Sequence, residues 1–284
     1  MKYYLKSIKA NGRLLLMIMA INLCIDLLVF ASSLPNAEMK GYWVPTAICL
    51  VITVGVMLFF IALICVITKK NIECYRLLDE KGPCPELIEA YARARKYKLS
   101  ARDHCVLASY YLAMDDPDGA DSELAVAGQL QMYDVVTKVY YSELFTETRI
   151  KQRRFPEAAV MYNNYLSING EYCRSHPGAL AVEHYSNGAL FQAMNGNMQG
   201  AMENLNAMEK SIKRTRKFAF TRNTALMGVY LIMRDYANAD SIKDMMLKDI
   251  DTFDGFDLIC DKQLVMHDIV SMQKTFDERT GDTY

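Results

Sequence analysis

Two patterns of hydrophobic and polar positions divide the chain. Residues 44–68 read VPTAICLVITVGVMLFFIALICVIT, 25 residues without a charge. At 1.5 Å rise per residue, such a stretch crosses a hydrocarbon core about 30 Å thick. A soluble helix seldom stays apolar on every face over that length. Residues 14–34, LLLMIMAINLCIDLLVFASSL, form a second apolar run, interrupted by Asp26. A carboxylate near the centre of a span costs about 2.5–3.5 kcal/mol on insertion scales, which the surrounding apolar residues offset. A cleaved signal peptide is the competing reading of this run, with basic residues before it and Ala31-Ser32-Ser33 behind it.

Beyond residue 70 no stretch alternates with period two. Apolar residues instead recur at i, i+3, i+4 and i+7, as in Leu107, Tyr110, Tyr111 and Met114. The spacing predicts helices over 71–80, 85–98, 102–114, 118–131, 137–151, 156–168, 178–194, 198–212, 218–234, 237–248 and 257–278. Short turns join them in pairs: Asp115-Asp116-Pro117-Asp118-Gly119, Arg153-Arg154-Phe155-Pro156, Asn195-Gly196-Asn197 and Arg234-Asp235-Tyr236. The fold class is therefore all-α. Residues 1–70 form a membrane anchor, 71–100 juxtamembrane and packing helices, and 101–284 a domain of helix pairs.

Aligning the turns exposes a repeat. The segments DPDGADSEL (116–124), RFPEAAVMY (154–162), NMQGAMENL (197–205) and DYANADSIK (235–243) each hold an Ala in one slot: Ala120, Ala158, Ala201 and Ala239. Self-similarity in the 20–50 residue range means stacked helical hairpins sharing a core. The segment 101–250 resembles the tetratricopeptide repeat (TPR) family, whose second helix places a small residue early, where two helices cross closely. Leu124, Tyr162 and Leu205 fit its large plug four residues later, and Lys243 departs from it. The resemblance implies an α-solenoid of about four repeats with 257–278 as a capping helix. It also implies a concave face that binds a protein or peptide partner. First-helix residues line that face: Arg102, Cys105, Ser109 and Leu112; Tyr140, Glu143 and Glu147; Glu183, Ser186 and Leu190; Thr221, Thr224 and Leu231. They lack the repeated Lys/Asn pattern with which some members clamp a C-terminal carboxylate.

Charge orients the anchor. Of the chain's 32 Lys/Arg and 33 Asp/Glu, residues 1–70 hold seven and two, which leaves 25 and 31 for the rest. Basic residues precede the first span and follow the second, so the positive-inside rule places both termini and the helical domain in the cytoplasm. Asn22 and Asp26 share one helix face. In a hairpin of the two spans, Asp26 lies opposite about Thr53, a polar clasp between the helices or a site for a partner helix or a proton. The net charge of −1 disfavours a dedicated nucleic-acid binder.

Two basic clusters stand at connections between successive repeats: Arg93, Arg95, Lys96, Lys98 and Arg102, then Lys210, Lys213, Arg214, Arg216 and Lys217. They form an edge suited to the anionic lipids of the inner leaflet. The four His residues make no paired-ligand spacing, and no P-loop, GxGxxG or GxSxG occurs. The acids after Asp116 fail the calcium-loop rule, since Ala127 falls where a Glu is needed. The scattered cysteines read as free thiols in a reducing compartment. No metal, cofactor or catalytic set is expected. The sequence favours a membrane-anchored adaptor over its alternative, a non-catalytic subunit of a membrane transport or secretion complex assembled through the spans.

Overall fold

The computed structural model describes residue 20, residues 43–258 and residues 260–280. Among these every regular element is helical, with no strand. Asn22, Asp26 and the run 14–34, apart from Ala20, lie outside the described residues, and so does the expected first span.

Helix α1 (Trp43–Glu80) is continuous over 38 residues. Its stretch Val51–Glu80 is long and apolar enough to cross a membrane. Ile48, Val51, Leu58 and Phe59 are each more than half exposed. The helix does not break at Lys69-Lys70, where a boundary was expected. Residues 69–80 hold no Gly or Pro to stop it, and the helix carries on to Glu80.

The chain divides into two compact units, Met1–Arg76 and Leu77–Tyr284. In the second, α2 (Pro85–Ala94) begins at a proline that fits the first helical turn. Four helix pairs follow. They are α3 (Ala101–Ala113) with α4 (Pro117–Gln129), and α5 (Val135–Lys151) with α6 (Phe155–Ser175). Next come α7 (Ala179–Met194) with α8 (Met198–Ala207) and the short α9 (Glu209–Arg214), then α10 (Phe218–Ile232) with α11 (Tyr236–Thr252). The first helices touch in succession, α3 on α5, α5 on α7 and α7 on α10. The last helix, α12 (Asp261–Phe276), closes the unit.

All four turns within pairs are built alike. Asp115, Arg153, Gly196 and Arg234 adopt left-handed backbone with φ between 57° and 70°. The following N–H reaches back to the carbonyls of Tyr111, Arg149, Gln192 and Tyr230. This six-to-one bond is a Schellman C-cap. Asp116, Asn197 and Asp235 then cap the second helix by accepting from the N–H three residues on. Five residues past each left-handed position stands the alanine of the sequence repeat. All four alanines are buried, leaving room for the paired helices to cross closely. Leu124, Tyr162 and Leu205 are buried beside them.

Several helix ends differ from the sequence expectation: α2 stops at Ala94 and not at 98, α11 runs to Thr252 and not to 248, and α12 begins at Asp261 and not at 257. Two further differences have a visible cause. Helix α6 runs to Ser175 instead of stopping near 168, because the Asn169-Gly170 pair does not turn. The Asn169 amide is buried and donates to Glu143 Oε1 at 2.6 Å, which holds the segment against α5. The 198–212 helix divides at Met208, whose side chain is fully buried.

Candidate functional site

Helix α12 lies on the surface made by the first helices. It packs on α10 and α11 of the last pair, and it also reaches α3 and α5. Its last turn is pinned at a distance from its own neighbours. Phe276 stacks on Phe155, with centroids 5.9 Å apart and planes 19° apart. Lys274 Nζ meets Asp115 Oδ2 at 3.0 Å, and Arg153 Nη2 donates to the Lys274 carbonyl at 3.0 Å. Met272 sits where Gly228 of α10 has no side chain; a Cβ there would stand 2.6 Å from the Met272 sulfur.

Between α5, α7, α10 and α12 remains a cavity of about 230 Å³. Of the expected partner-binding residues, it brings together Glu147, Glu183, Ser186, Leu190, Thr221 and Thr224. Sequence reasoning missed the rest of its wall: Ile150, Lys151, Asn187, Ala225 and the α12 residues Asp268, Ser271, Met272, Thr275 and Phe276. The i, i+4 spacing of Asp268, Met272 and Phe276 was a usable signal for one helix face. Ser109, Leu112, Tyr140 and Leu231 do not line it. Leu112 and Leu231 are core, Tyr140 packs against the core of the first pair, and Arg102 is exposed.

Behind the cavity wall, Glu143 is the hub of a buried polar cluster. It is 1% exposed and its partner His184 3%. Glu143 Oε1 accepts from Asn169 and lies 2.8 Å from His184 Nδ1, while Oε2 accepts from Asn187 at 2.8 Å. The cluster ties α5, α6 and α7 together, and Asn187 carries it to the cavity.

Inside the cavity the carboxylates are less well matched. Lys151 donates to the Leu112 carbonyl at 3.1 Å and stands 3.8 Å from Glu147. Glu183 Oε2 is shielded from solvent and has no hydrogen-bond partner. Burial, and then the Glu147, Glu143 and Asp268 carboxylates, hold the Glu183 carboxyl well above the usual glutamate range. The same two causes, against the nearby Lys151, raise Glu147. Among the described residues, no group of three or more His, Cys, Asp or Glu is placed to hold a metal ion.

The basic clusters are partly engaged within the protein. Arg95 lies over the Tyr91 ring and pairs with Asp103, whose carboxyl burial would raise. Bonds from Ser100, Arg95 and Tyr91 outweigh that and bring it down to about 2. Lys217 pairs with Asp257 at 3.2 Å, Lys213 with Glu209 at 3.0 Å, and Arg93 lies 3.8 Å from Glu89. Arg214 donates to the Pro177 carbonyl, which joins two of the connections between pairs. Lys96, Lys98, Lys210, Arg214 and Arg216 are exposed. Thr53 is half-buried within α1.

Comparison of the chain with models of known families, with curated proteins and with solved structures returns no match.

Proposed function

We propose that the chain is a membrane-anchored adaptor, a TPR-like stack of helix pairs that captures an amphipathic helix of a protein partner. The observation that carries this reading is α12. A helix of the chain itself rests on the surface of the first helices, and that seating supports capture of a partner helix there. In this reading α1 crosses the bilayer, the run 14–34 forms a second span, and both termini with the paired helices face the cytoplasm. Lys96, Lys210, Arg214 and Arg216 then face anionic lipid. Anchoring raises the local concentration of a partner, so modest affinity suffices. The role is binding, without catalysis or a cofactor.

Site-specific photocrosslinking in native membranes tests the reading. A benzoylphenylalanine at Thr221, on the cavity wall, is expected to yield a covalent adduct with a second protein. Adducts confined to the chain's own α12 would overturn it.

A further inference from the structure

We propose that the cavity beneath α12 binds a primary alkylammonium group on an unbranched carbon chain. The source of that group is either a free small amine or the lysine side chain of a docked protein. The inference does not rest on the adaptor reading, because it concerns a cavity complete within one chain.

The wall offers acceptors and few donors. Glu183, one of the lining residues, has its Oε2 buried and unpartnered. The Thr224 hydroxyl donates to the Phe220 carbonyl at 2.9 Å, and the Thr275 hydroxyl to the Ser271 carbonyl at 2.8 Å. Each hydroxyl proton is thus committed to its own helix, and each oxygen presents lone pairs. An ammonium brings three N–H donors and no acceptor, which matches such a wall. Three acidic side chains, Glu147, Glu183 and Asp268, share the wall with one ammonium, that of Lys151. An anion would be repelled, and a neutral alcohol offers the wall a single donor where an ammonium offers three and a charge.

Size and polarity fix the rest of the ligand. A volume of about 230 Å³ holds roughly eight waters at about 30 Å³ each. That accommodates a short chain and falls below the usual range for drug-sized ligands. Ile150, Leu190, Met272 and Phe276 line the cavity with apolar surface for the methylenes. A cation that buries its stem and keeps its head among oxygens follows the habit of lysine itself.

Calorimetry on the full chain in lipid nanodiscs tests the proposal. The probes are pentan-1-amine, N-acetyl-lysine methylamide and, as a neutral shape control, pentan-1-ol. Saturable one-to-one binding of at least one ammonium probe is expected, with pentan-1-ol at least about tenfold weaker. Binding of pentan-1-amine alone assigns a free amine as the source. Binding of the lysine derivative alone assigns a protein side chain, and binding of both supports the shared chemistry. Glu183→Gln removes the ionisable carboxyl at nearly constant size and is expected to weaken the binding probe about tenfold or more. Asp268→Asn, at a more exposed position, should weaken it less. Equal affinity for pentan-1-ol, unchanged affinity in Glu183→Gln, or no saturable heat with any probe near 1 mM would overturn it. No partner protein is present in this experiment, so a failed crosslinking result leaves it standing.

Discussion

Lys274, near the end of α12, lies 3.0 Å from Asp115 in the first turn of the repeat, 159 residues away along the chain. Asp115 occupies the left-handed position where glycine is the usual C-cap residue. The same holds at Arg153, which donates to the Lys274 carbonyl, and at Arg234, which lies 3.1 Å from Glu278. Three of the four turns thus accept a strained backbone at a non-glycine residue and use its side chain to hold the last segment. Only the Gly196 turn lacks such a side chain.

The anchor with the largest apolar contribution is Phe276 on Phe155. Phe276→Ala should cost about 1–2 kcal/mol, less than a fully buried phenylalanine, because the ring is half-buried. Amide exchange over 270–276 should quicken several-fold while α3–α8 keep their protection. Lys274→Ala, which removes an exposed ion pair, should cost under about 1 kcal/mol. If exchange at the end of α12 is the same in Phe276→Ala as in the native chain, the stacking does not secure the helix.

The repeat slot gives a second test. Ala201 has no exposed surface where α8 crosses α7. Ala201→Leu forces added volume into that crossing and should cost about 1–3 kcal/mol, read as a lowered unfolding midpoint. A midpoint equal to that of the native chain would mean the two helices do not cross closely there.

These alanines show what the sequence could disclose. A small residue every 38 to 43 positions reports a local requirement that each pair meets by itself, so the pairs were visible from spacing. The departure at Lys243 had a cause that spacing could not carry: its ammonium reaches Gln273 of α12 at 3.0 Å. The destination of α12 was hidden for the same reason. An amphipathic pattern shows that a helix buries one face but not which surface covers it. Hence 257–278 read as a cap on the last pair, while the structure carries it back to α3 and α5. The site was half-legible. Glu147, Glu183, Ser186, Thr221 and Thr224 follow from a shared face, whereas Asp268 and Lys151 join them only through long-range packing.

The polar hub makes a third prediction. Glu143 accepts from Asn169 and Asn187 and contacts His184, all of them buried. Glu143→Ala leaves those groups without a partner and should cost about 3–5 kcal/mol. Glu143→Gln retains part of the hydrogen bonding and should cost less. Thermal unfolding of the two variants in parallel checks the order. Equal losses would show that packing, and not the polar contacts, sets the cost.

Thiol chemistry follows burial. Desolvation pushes the Cys105 and Cys173 thiols up to about 12, with the Glu143 and Glu183 carboxylates adding to the shift at Cys173. The thiolate is the reactive form, so both should resist a maleimide at neutral pH. Cys84, half-buried ahead of α2, should label first among these three. Mass mapping of the labelled native chain checks the order, and labelling of Cys105 at the rate of Cys84 would contradict the packing of the first pair.

The last prediction concerns pH. Burial, with the Glu147, Glu143 and Asp268 carboxylates behind it, raises the Glu183 carboxyl above its ordinary value of 4.5. The folded chain therefore holds this proton more tightly than the unfolded chain does. Glu183 contributes stability that is fully present below 4.5 and is lost as pH rises through its folded-state value. Glu183→Gln cannot lose a proton, so it should keep that stability at all pH. Its unfolding midpoint should match the native one in acid and exceed it increasingly towards about pH 8. A bound ammonium compensates the charge, so pentan-1-amine should narrow the gap at high pH by stabilising the native chain and not the variant. A gap that stays constant with pH would mean that Glu183 ionises in the folded state as freely as in water.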